Sequence, residues 1–158
     1  MTAARHAQPA GPVSAAFFVA AVVTISLLVG YLTQPGAWYA GLAKPSFNPP
    51  SWVFGPVWTV LYVLIAIAGW RTWRAAPRSA AMALWIAQMV LNWLWSPAFF
   101  GANAPWLAFA VIVSMLAVIL AFIVQVWRHD RLSSVLFVPY LAWVSFASVL
   151  NGAIAAMN

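Results

Sequence analysis

The stretch WYAGLAKPSFNPPSWVFGPVWTVLY, residues 38–62, decides how this chain folds. Its segment Lys44–Pro50 cannot continue a helix, because proline lacks a backbone N–H and restricts the residue before it. The chain on either side is apolar and helical in pattern. Hydrocarbon cannot satisfy the hydrogen bonds of non-helical backbone, so such backbone has to be wetted or covered by protein. We therefore predict that residues 34–56, termed the proline loop, form a folded lid over one end of a helix bundle.

The composition indicates an all-α membrane protein. Of its 158 residues, 66% are hydrophobic and 5% are charged, and the mean hydropathy is +0.95. Water-soluble domains contain about 25% charged residues. The absence of cysteine excludes disulfides and thiolate metal sites. The net charge of +6 does not indicate a nucleic-acid partner, because the basic residues are scattered singly at the ends of predicted helices.

Five apolar segments predict a bundle of five transmembrane helices, with the proline loop between the first two. Each approaches the ~20 residues that cross a hydrocarbon core of ~30 Å. The first is predicted as a retained helix, because the apolar region of a signal peptide is usually about 7–15 residues long. Residues 1–12 are predicted as a flexible tail and residues 13–158 as a single domain. The spans are placed at about 13–33, 57–73, 79–100, 105–127 and 132–157, with Pro56 in the first turn of the second, where proline is tolerated.

The distribution of positive charge predicts the orientation in the membrane. With five spans, the side of the amino terminus contains six arginines, whereas the side of the proline loop contains only Lys44. The positive-inside rule then places the amino terminus in the cytoplasm and the proline loop on the opposite side. This bias favours a bacterial inner membrane, and the outer membrane stays open as an alternative. The six arginines are Arg5, Arg71, Arg74, Arg78, Arg128 and Arg131.

Carboxylates and histidines, including any axial histidine for a haem, are absent from the predicted spans. Asp130 is the single carboxylate, and it lies in a basic turn where we expect it to pair with a neighbouring arginine. His6 lies in the predicted tail and His129 in the same basic turn. Proton relays need ionisable groups inside the spans, and a bundle-held haem needs an axial ligand there. We therefore predict no metal site and no acid–base catalysis.

Uncharged polar and aromatic residues recur at helical spacing inside the spans. Gln88, Asn92 and Trp95 share one face of the third span, and Tyr140, Trp143, Ala147 and Asn151 share one face of the fifth. The amides have two readings: they hold helices together through bonds of about 0.6–2 kcal/mol, or they line a cavity for a flat apolar ligand with polar edges. Tryptophans on the proline-loop side or on these faces favour the cavity: Trp38, Trp52, Trp58, Trp95, Trp106 and Trp143.

Three motifs closely resemble the TspO/MBR family of translocator and tryptophan-rich sensory proteins, also known as peripheral-type benzodiazepine receptors. They are residues 38–62, QMVLNWLWSPAFFG at 88–101 and VPYLAWVSFASVLN at 138–151, and the resemblance covers about residues 13–155. It implies a five-helix transmembrane bundle, often a homodimer, with a cavity closed by the loop between the first two helices. It also implies binding of tetrapyrroles such as protoporphyrin IX and haem, of sterols, and of isoquinoline and benzodiazepine drugs.

The resemblance also implies roles for individual residues. Trp58 and Trp143 match tryptophans linked in the family to porphyrin binding and to its light-dependent breakdown. Ala83 and Ala87 match a small-residue pair at a dimer contact on the third helix. The family's sterol motif is incomplete here, because no Lys or Arg follows Tyr140. The predicted ligand-binding residues, which include Trp106 from the aromatic pattern, are Tyr39, Phe54, Trp58, Asn92, Trp95, Trp106, Trp143, Ala147 and Asn151.

Three functions remain open from the sequence. The first is a membrane protein that binds tetrapyrroles for sensing, regulation or translocation, with porphyrin or haem as its ligand and no obligatory cofactor. The second is an enzyme that degrades bound porphyrin in the light, with Trp58 and Trp143 as electron donors. The third is a passive carrier of sterols or lipids, since the chain contains no intramembrane charge for energy coupling.

Overall fold

The computed structural model describes residues 11–158, in which helices joined by loops and turns are the regular secondary structure and no strand is present. The predicted flexible tail, residues 1–12, falls almost wholly outside the described residues, and the single domain stays a prediction. The helices are α1 (Pro12–Leu32), α2 (Ala37–Gly41), α3 (Ser51–Ala75), α4 (Ala80–Ser96), α5 (Pro105–Val126) and α6 (Arg131–Met157), and a π-helical turn (Pro97–Gly101) follows α4 directly.

Four of these helices are long and apolar enough to cross a membrane: α1, α3, α5 and α6. The third predicted span corresponds to α4, which has 17 residues. Helical backbone continues beyond it through the π-helical turn, so residues 80–101 form one uninterrupted helical segment. Pro97 has no N–H for an α-helical hydrogen bond. At the other end of the π-helical turn, the Ala102 N–H donates to the Pro97 carbonyl at 2.8 Å, which is the five-residue spacing of a π-helix.

The prediction that the second long helix begins near residue 57 is wrong. This helix, α3, begins at Ser51, with Pro50 as its N-cap, so the last six residues of the proline loop are helical. Pro56 is therefore an internal residue of α3 and not a first-turn proline. As the sixth residue of the helix, Pro56 removes the bond that a backbone N–H would make to the Trp52 carbonyl.

The long helices pack in a ring. α3 packs against α1 and α6, α5 packs against α6 and α4, and α4 also contacts α3 and α1. The main core is formed mainly by α3, α4, α5 and α6, and its buried residues include Ile65, Met89, Phe122 and Phe137. The rings of Phe122 and Phe137 are 4.3 Å apart between centroids. α1 lies at the periphery of the bundle, because only 11% of its most apolar 18-residue stretch is buried.

The arginines of the described residues lie at one end of the ring. Arg71 of α3 forms a bidentate ion pair with Asp130, with nitrogen–oxygen distances of 2.8 and 3.0 Å. The expected partner of Asp130 was an arginine of its own turn, but the structure selects one from another helix. Asp130 also caps α6 by accepting the Ser133 N–H. The Trp70 indole donates to the Ser14 hydroxyl, which brings the start of α1 to the same end.

The opposite end gathers the proline loop, the end of α4 and the end of α6. Thr33 and Ser96 join α1 to α4 through their hydroxyls. The Asn158 side chain makes two hydrogen bonds with the backbone of Ala43, at 3.0 and 3.1 Å, and so ties the proline loop to α6. Residues 102–104 connect the π-helical turn to α5, and Asn103 adopts a φ of 52° there.

Candidate functional site

A cavity of about 580 Å³ lies at the proline-loop end of the ring, between α1, α3, the end of α4 and α6. This volume falls within the ~300–1,000 Å³ of typical small-molecule pockets. Within residues 11–158, none of the side chains that line it is charged. Its wall includes seven of the nine predicted ligand-binding residues: Tyr39, Phe54, Trp58, Asn92, Trp95, Ala147 and Asn151.

Aromatic rings form much of the wall on the α4 side. The Trp95 indole is stacked on Phe99 with centroids 5.5 Å apart, and Phe99 meets Phe100 edge to face at 4.9 Å. Tyr39 from α2 packs edge-on against both phenylalanines. Burial raises the pKa of the Tyr39 phenol, so this side chain stays protonated at neutral pH. The π-helical turn therefore serves as the surface on which the proline loop packs.

The floor of the cavity contains a hydrogen-bonded chain from four helices. The Tyr62 hydroxyl donates to the Asn92 side-chain oxygen at 3.1 Å, and the Asn92 nitrogen donates to the Tyr140 hydroxyl at 3.0 Å. Tyr140 in turn donates to the Met115 sulfur. Trp58 is stacked on Tyr62 at 5.3 Å. Asn92 thus has both roles that the sequence left open, because it lines the cavity and holds α3, α4 and α6 together.

Asn151 has the same dual position near the end of α6. Its side-chain oxygen accepts from the Trp95 indole N–H at 3.0 Å, and its nitrogen donates to the Pro105 carbonyl at 2.9 Å. This carbonyl belongs to the first turn of α5, so one amide joins three helices. Gln88, the third amide of the sequence pattern, lies away from the cavity wall and donates to the Trp85 carbonyl.

The structure does not bring two predicted residues into the cavity wall. Trp106 lies at the start of α5, 60% exposed, and its ring contacts Phe109 edge-on. Trp143 lies behind the wall, where its ring packs edge-on against Phe54 at 5.8 Å. Its indole N–H is buried and has no hydrogen-bond partner among the described residues. Trp58 therefore lies at the cavity wall, whereas Trp143 packs against the wall residue Phe54.

The predicted dimer contact lies on the outer surface of α4. Ala83 is exposed and Ala87 is half-buried, whereas Met82 and Trp85 on the other face are buried. This side of α4 also exposes Ile86. The pair is therefore accessible to another subunit, and the homodimer stays a prediction.

Several cavity residues were missing from the sequence-based site. Tyr62 lies one helical turn after Trp58, and this spacing was the signal that its ring would face the same space. Phe99 and Phe100 both line the cavity because the π-helical turn brings adjacent residues toward it. No periodicity in the sequence indicates that turn. Asn48 of the proline loop also lines the cavity.

The sequence profile described as the TspO/MBR family matches residues 17–157. The chain belongs to the TspO/MBR family. It is 38% identical over 144 residues to the tryptophan-rich protein TspO of Archaeoglobus fulgidus, covering 89% of this chain and 94% of that protein. It is 40% identical to the tryptophan-rich sensory protein of Cereibacter sphaeroides over 122 residues, 77% of each chain. It is 36% identical to the human translocator protein over 119 residues, 72% of this chain and 70% of that protein.

Membership of the TspO/MBR family and the long apolar helices together make the chain an integral membrane protein, with the lipid bilayer as its environment.

The residues of the cavity wall limit the chemical class of molecule that the cavity can accommodate. Residues 11–158 contain no cluster of three His, Cys, Asp or Glu side chains that could hold a metal ion. The hydrogen-bonding groups of Asn92 and Asn151 bind other protein groups, so the wall offers a ligand mainly aromatic and aliphatic surface.

Proposed function

We propose that this TspO/MBR protein binds tetrapyrroles and similar flat hydrophobic molecules in the 580 Å³ cavity, and that it acts in sensing, regulation or translocation. The observation that supports the proposal is the uncharged cavity itself, with the faces of several aromatic rings around it. Flat conjugated ligands gain about 0.5–1.5 kcal/mol from each well-placed aromatic contact beyond the burial of their surface. Relatives named sensory protein and translocator protein agree with both roles.

The proposal includes a membrane arrangement of five spanning helices. α4 and the π-helical turn together make a continuous segment that supplies the third of the five spans, although α4 alone has only 17 residues. The proline loop then closes the cavity on the side away from the cytoplasm, and the arginine end faces the cytoplasm of a bacterial inner membrane. The accessible Ala83–Ala87 face of α4 would support a homodimer.

The binding proposal can be tested with protoporphyrin IX and the purified protein in lipid nanodiscs. We expect saturable binding, followed by the shift of the porphyrin absorbance, and a weaker affinity for Trp58→Leu because Trp58 lines the cavity. Trp106→Leu is the matched control, since this tryptophan lies outside the wall and is 60% exposed. Equal affinities of the wild type and both variants would contradict this location of the site.

Light-dependent degradation of porphyrin is a second candidate, because two oxidisable rings, Trp58 and Tyr62, are stacked at the cavity wall. In this case the photoexcited porphyrin takes one electron from Trp58, which becomes a radical cation, and dissolved dioxygen is the oxidant that then cleaves the ring system of the reduced porphyrin. We expect the bound porphyrin to lose absorbance under light faster than free porphyrin, and Trp58→Phe to slow that loss at equal occupancy. A rate that is unchanged by the substitution would remove this candidate and would leave the binding proposal intact.

A further inference from the structure

Among the described residues, Lys44 lies at the opposite end of the bundle from the other basic side chains. It is the one cation at the proline-loop end, and all the arginines of residues 11–158 belong to the ends of α3 and α5, the start of α6 or their connecting turns. α6 separates the two ends: its 27 residues span about 40 Å at 1.5 Å per residue. Asn158, just beyond α6, bonds to Ala43, which is the neighbour of Lys44.

The Lys44 ammonium lies beside the cavity wall, over the ring of a residue that lines it. Its nitrogen is 4.6 Å from the centroid of the Tyr39 ring, and Tyr39 is one of the residues that line the cavity. The same ammonium donates to the carbonyls of Ala40 and Leu42, at 3.3 and 3.0 Å. An ammonium group has three N–H donors. These two carbonyls therefore leave one donor for a further acceptor, while they hold the cation in place.

The cavity wall creates a need for such a cation. A carboxylate buried without a partner in an uncharged cavity is strongly unfavourable. An acidic flat ligand can therefore place its ring system among the aromatic residues only if its carboxylates stay at the mouth. At the proline-loop end the structure offers one positive charge to those carboxylates, and it is held beside Tyr39.

We infer that Lys44 is a specificity residue that favours acidic ligands over their neutral counterparts, by donating its third N–H to a ligand carboxylate at the mouth of the cavity. The inference rests on the proposed function, because it assigns the same cavity a preference for flat carboxylic acids. It also gives the proline loop a chemical role in addition to its packing role. Burial in the cavity then supplies affinity, and Lys44 supplies discrimination.

The test compares protoporphyrin IX, which has two carboxylates, with its neutral dimethyl ester, on the full chain in nanodiscs of neutral lipid. Lys44→Gln is expected to weaken binding of the acid about 3- to 10-fold, the range of a charged hydrogen bond near the protein surface, and to leave binding of the ester unchanged. Lys44→Arg is expected to retain most of the preference for the acid. Added salt is expected to weaken binding of the acid to the wild type more than to Lys44→Gln.

Asn158→Ala is the matched control for a purely structural role of Lys44. It loosens the proline loop by removing the two bonds to Ala43, but it removes no charge. We expect it to change the affinities for acid and ester by the same factor. If Lys44→Gln also weakens both ligands equally, Lys44 only braces the loop and the inference is wrong. If neither ligand binds the wild type, the proposed function itself fails, which is a distinguishable result.

Discussion

Substitution of Gly69 by alanine tests the packing that positions the cavity helices. Gly69 lies in α3, and a Cβ atom built there would come within 2.2 Å of Cε2 and 2.5 Å of Nε1 of Trp85 on α4. The indole is buried, and its N–H donates to the Ile65 carbonyl at 2.9 Å. An ordinary contact for Cβ begins at about 3.4 Å, so the ring would have to retreat by more than an ångström and lose this bond.

The expected cost follows from three contributions. Overpacking of a filled core costs about 1–3 kcal/mol, and a buried indole N–H without an acceptor costs about 1–3 kcal/mol. Alanine in a helix regains about 1 kcal/mol relative to glycine. We therefore expect Gly69→Ala to lower the free energy of unfolding by about 1–5 kcal/mol. The measurement is an unfolding titration in mixed micelles, followed by near-ultraviolet circular dichroism.

The controls isolate the clash. Gly30→Ala on α1 introduces the same methyl group where no atom lies within 4 Å, and it should leave the stability equal or raise it by up to ~1 kcal/mol. In a Trp85→Leu background, Gly69→Ala should lose most of its cost, because the ring it collides with is gone. A Gly69→Ala protein as stable as the wild type, or a cost that persists in full without Trp85, would refute the reasoning.

Two further substitutions test the polar contacts between helices. Asp130→Asn removes the charged pair with Arg71 and should cost about 1 kcal/mol at neutral pH in the same unfolding titration. Partial burial raises the pKa of Asp130, but hydrogen bonds from Arg71 and Ser133 outweigh this and hold the pKa below the ordinary value of ~3.9. The pair therefore contributes fully to the free energy of unfolding above about pH 4, and this contribution declines as the pH falls below that value. The Asp130→Asn variant should lack this acid dependence. Identical pH profiles of stability for the wild type and the variant would exclude the pair as the cause of the acid dependence. Asn92→Leu should lower the free energy of unfolding by about 1–2 kcal/mol, because it leaves the Tyr62 hydroxyl without its acceptor. Adding Tyr62→Phe to this variant should lower the stability little further. Fully additive losses of stability would mean that the two side chains act independently.

The extent of the helices could be predicted well from the sequence, because it depends on apolar segments bounded by proline, glycine and charge. The exceptions are α2, which lies inside the predicted proline loop, and the start of α3 at Ser51, where the proline pattern suggested residue 57. Pro49 and Pro50 end the irregular segment, whereas Pro56 lies inside α3, so the last proline of the run did not mark the boundary. The proline pattern shows where the irregular segment lies, but not at which proline the next helix begins.

The cavity could be predicted in part. Helical spacing placed Asn92 and Trp95 on one face, and both line the wall. It also placed Trp143 with Ala147, but the structure puts Phe54 against the Trp143 ring and leaves only Ala147 at the wall. A face of a helix covers about a third of its circumference, and which side chain in that sector meets the cavity depends on residues from other helices. The contribution of Phe99 and Phe100 depends on a π-helical turn, which a 3.6-residue period cannot reveal.

The proposed binding site includes the volume beside Ala147, and a matched pair of substitutions on α6 tests this directly. Ala147 lines the cavity, whereas Ala142 is exposed on the outer surface of the same helix. Protoporphyrin IX binding is measured by equilibrium titration of the wild type, Ala147→Phe and Ala142→Phe in nanodiscs. We expect Ala147→Phe to weaken binding about tenfold or more, because the phenyl ring occupies the space of the ligand, and Ala142→Phe to bind as the wild type does. Unaltered binding by Ala147→Phe, in a protein that folds as the wild type does, would contradict the central claim that this cavity is the binding site.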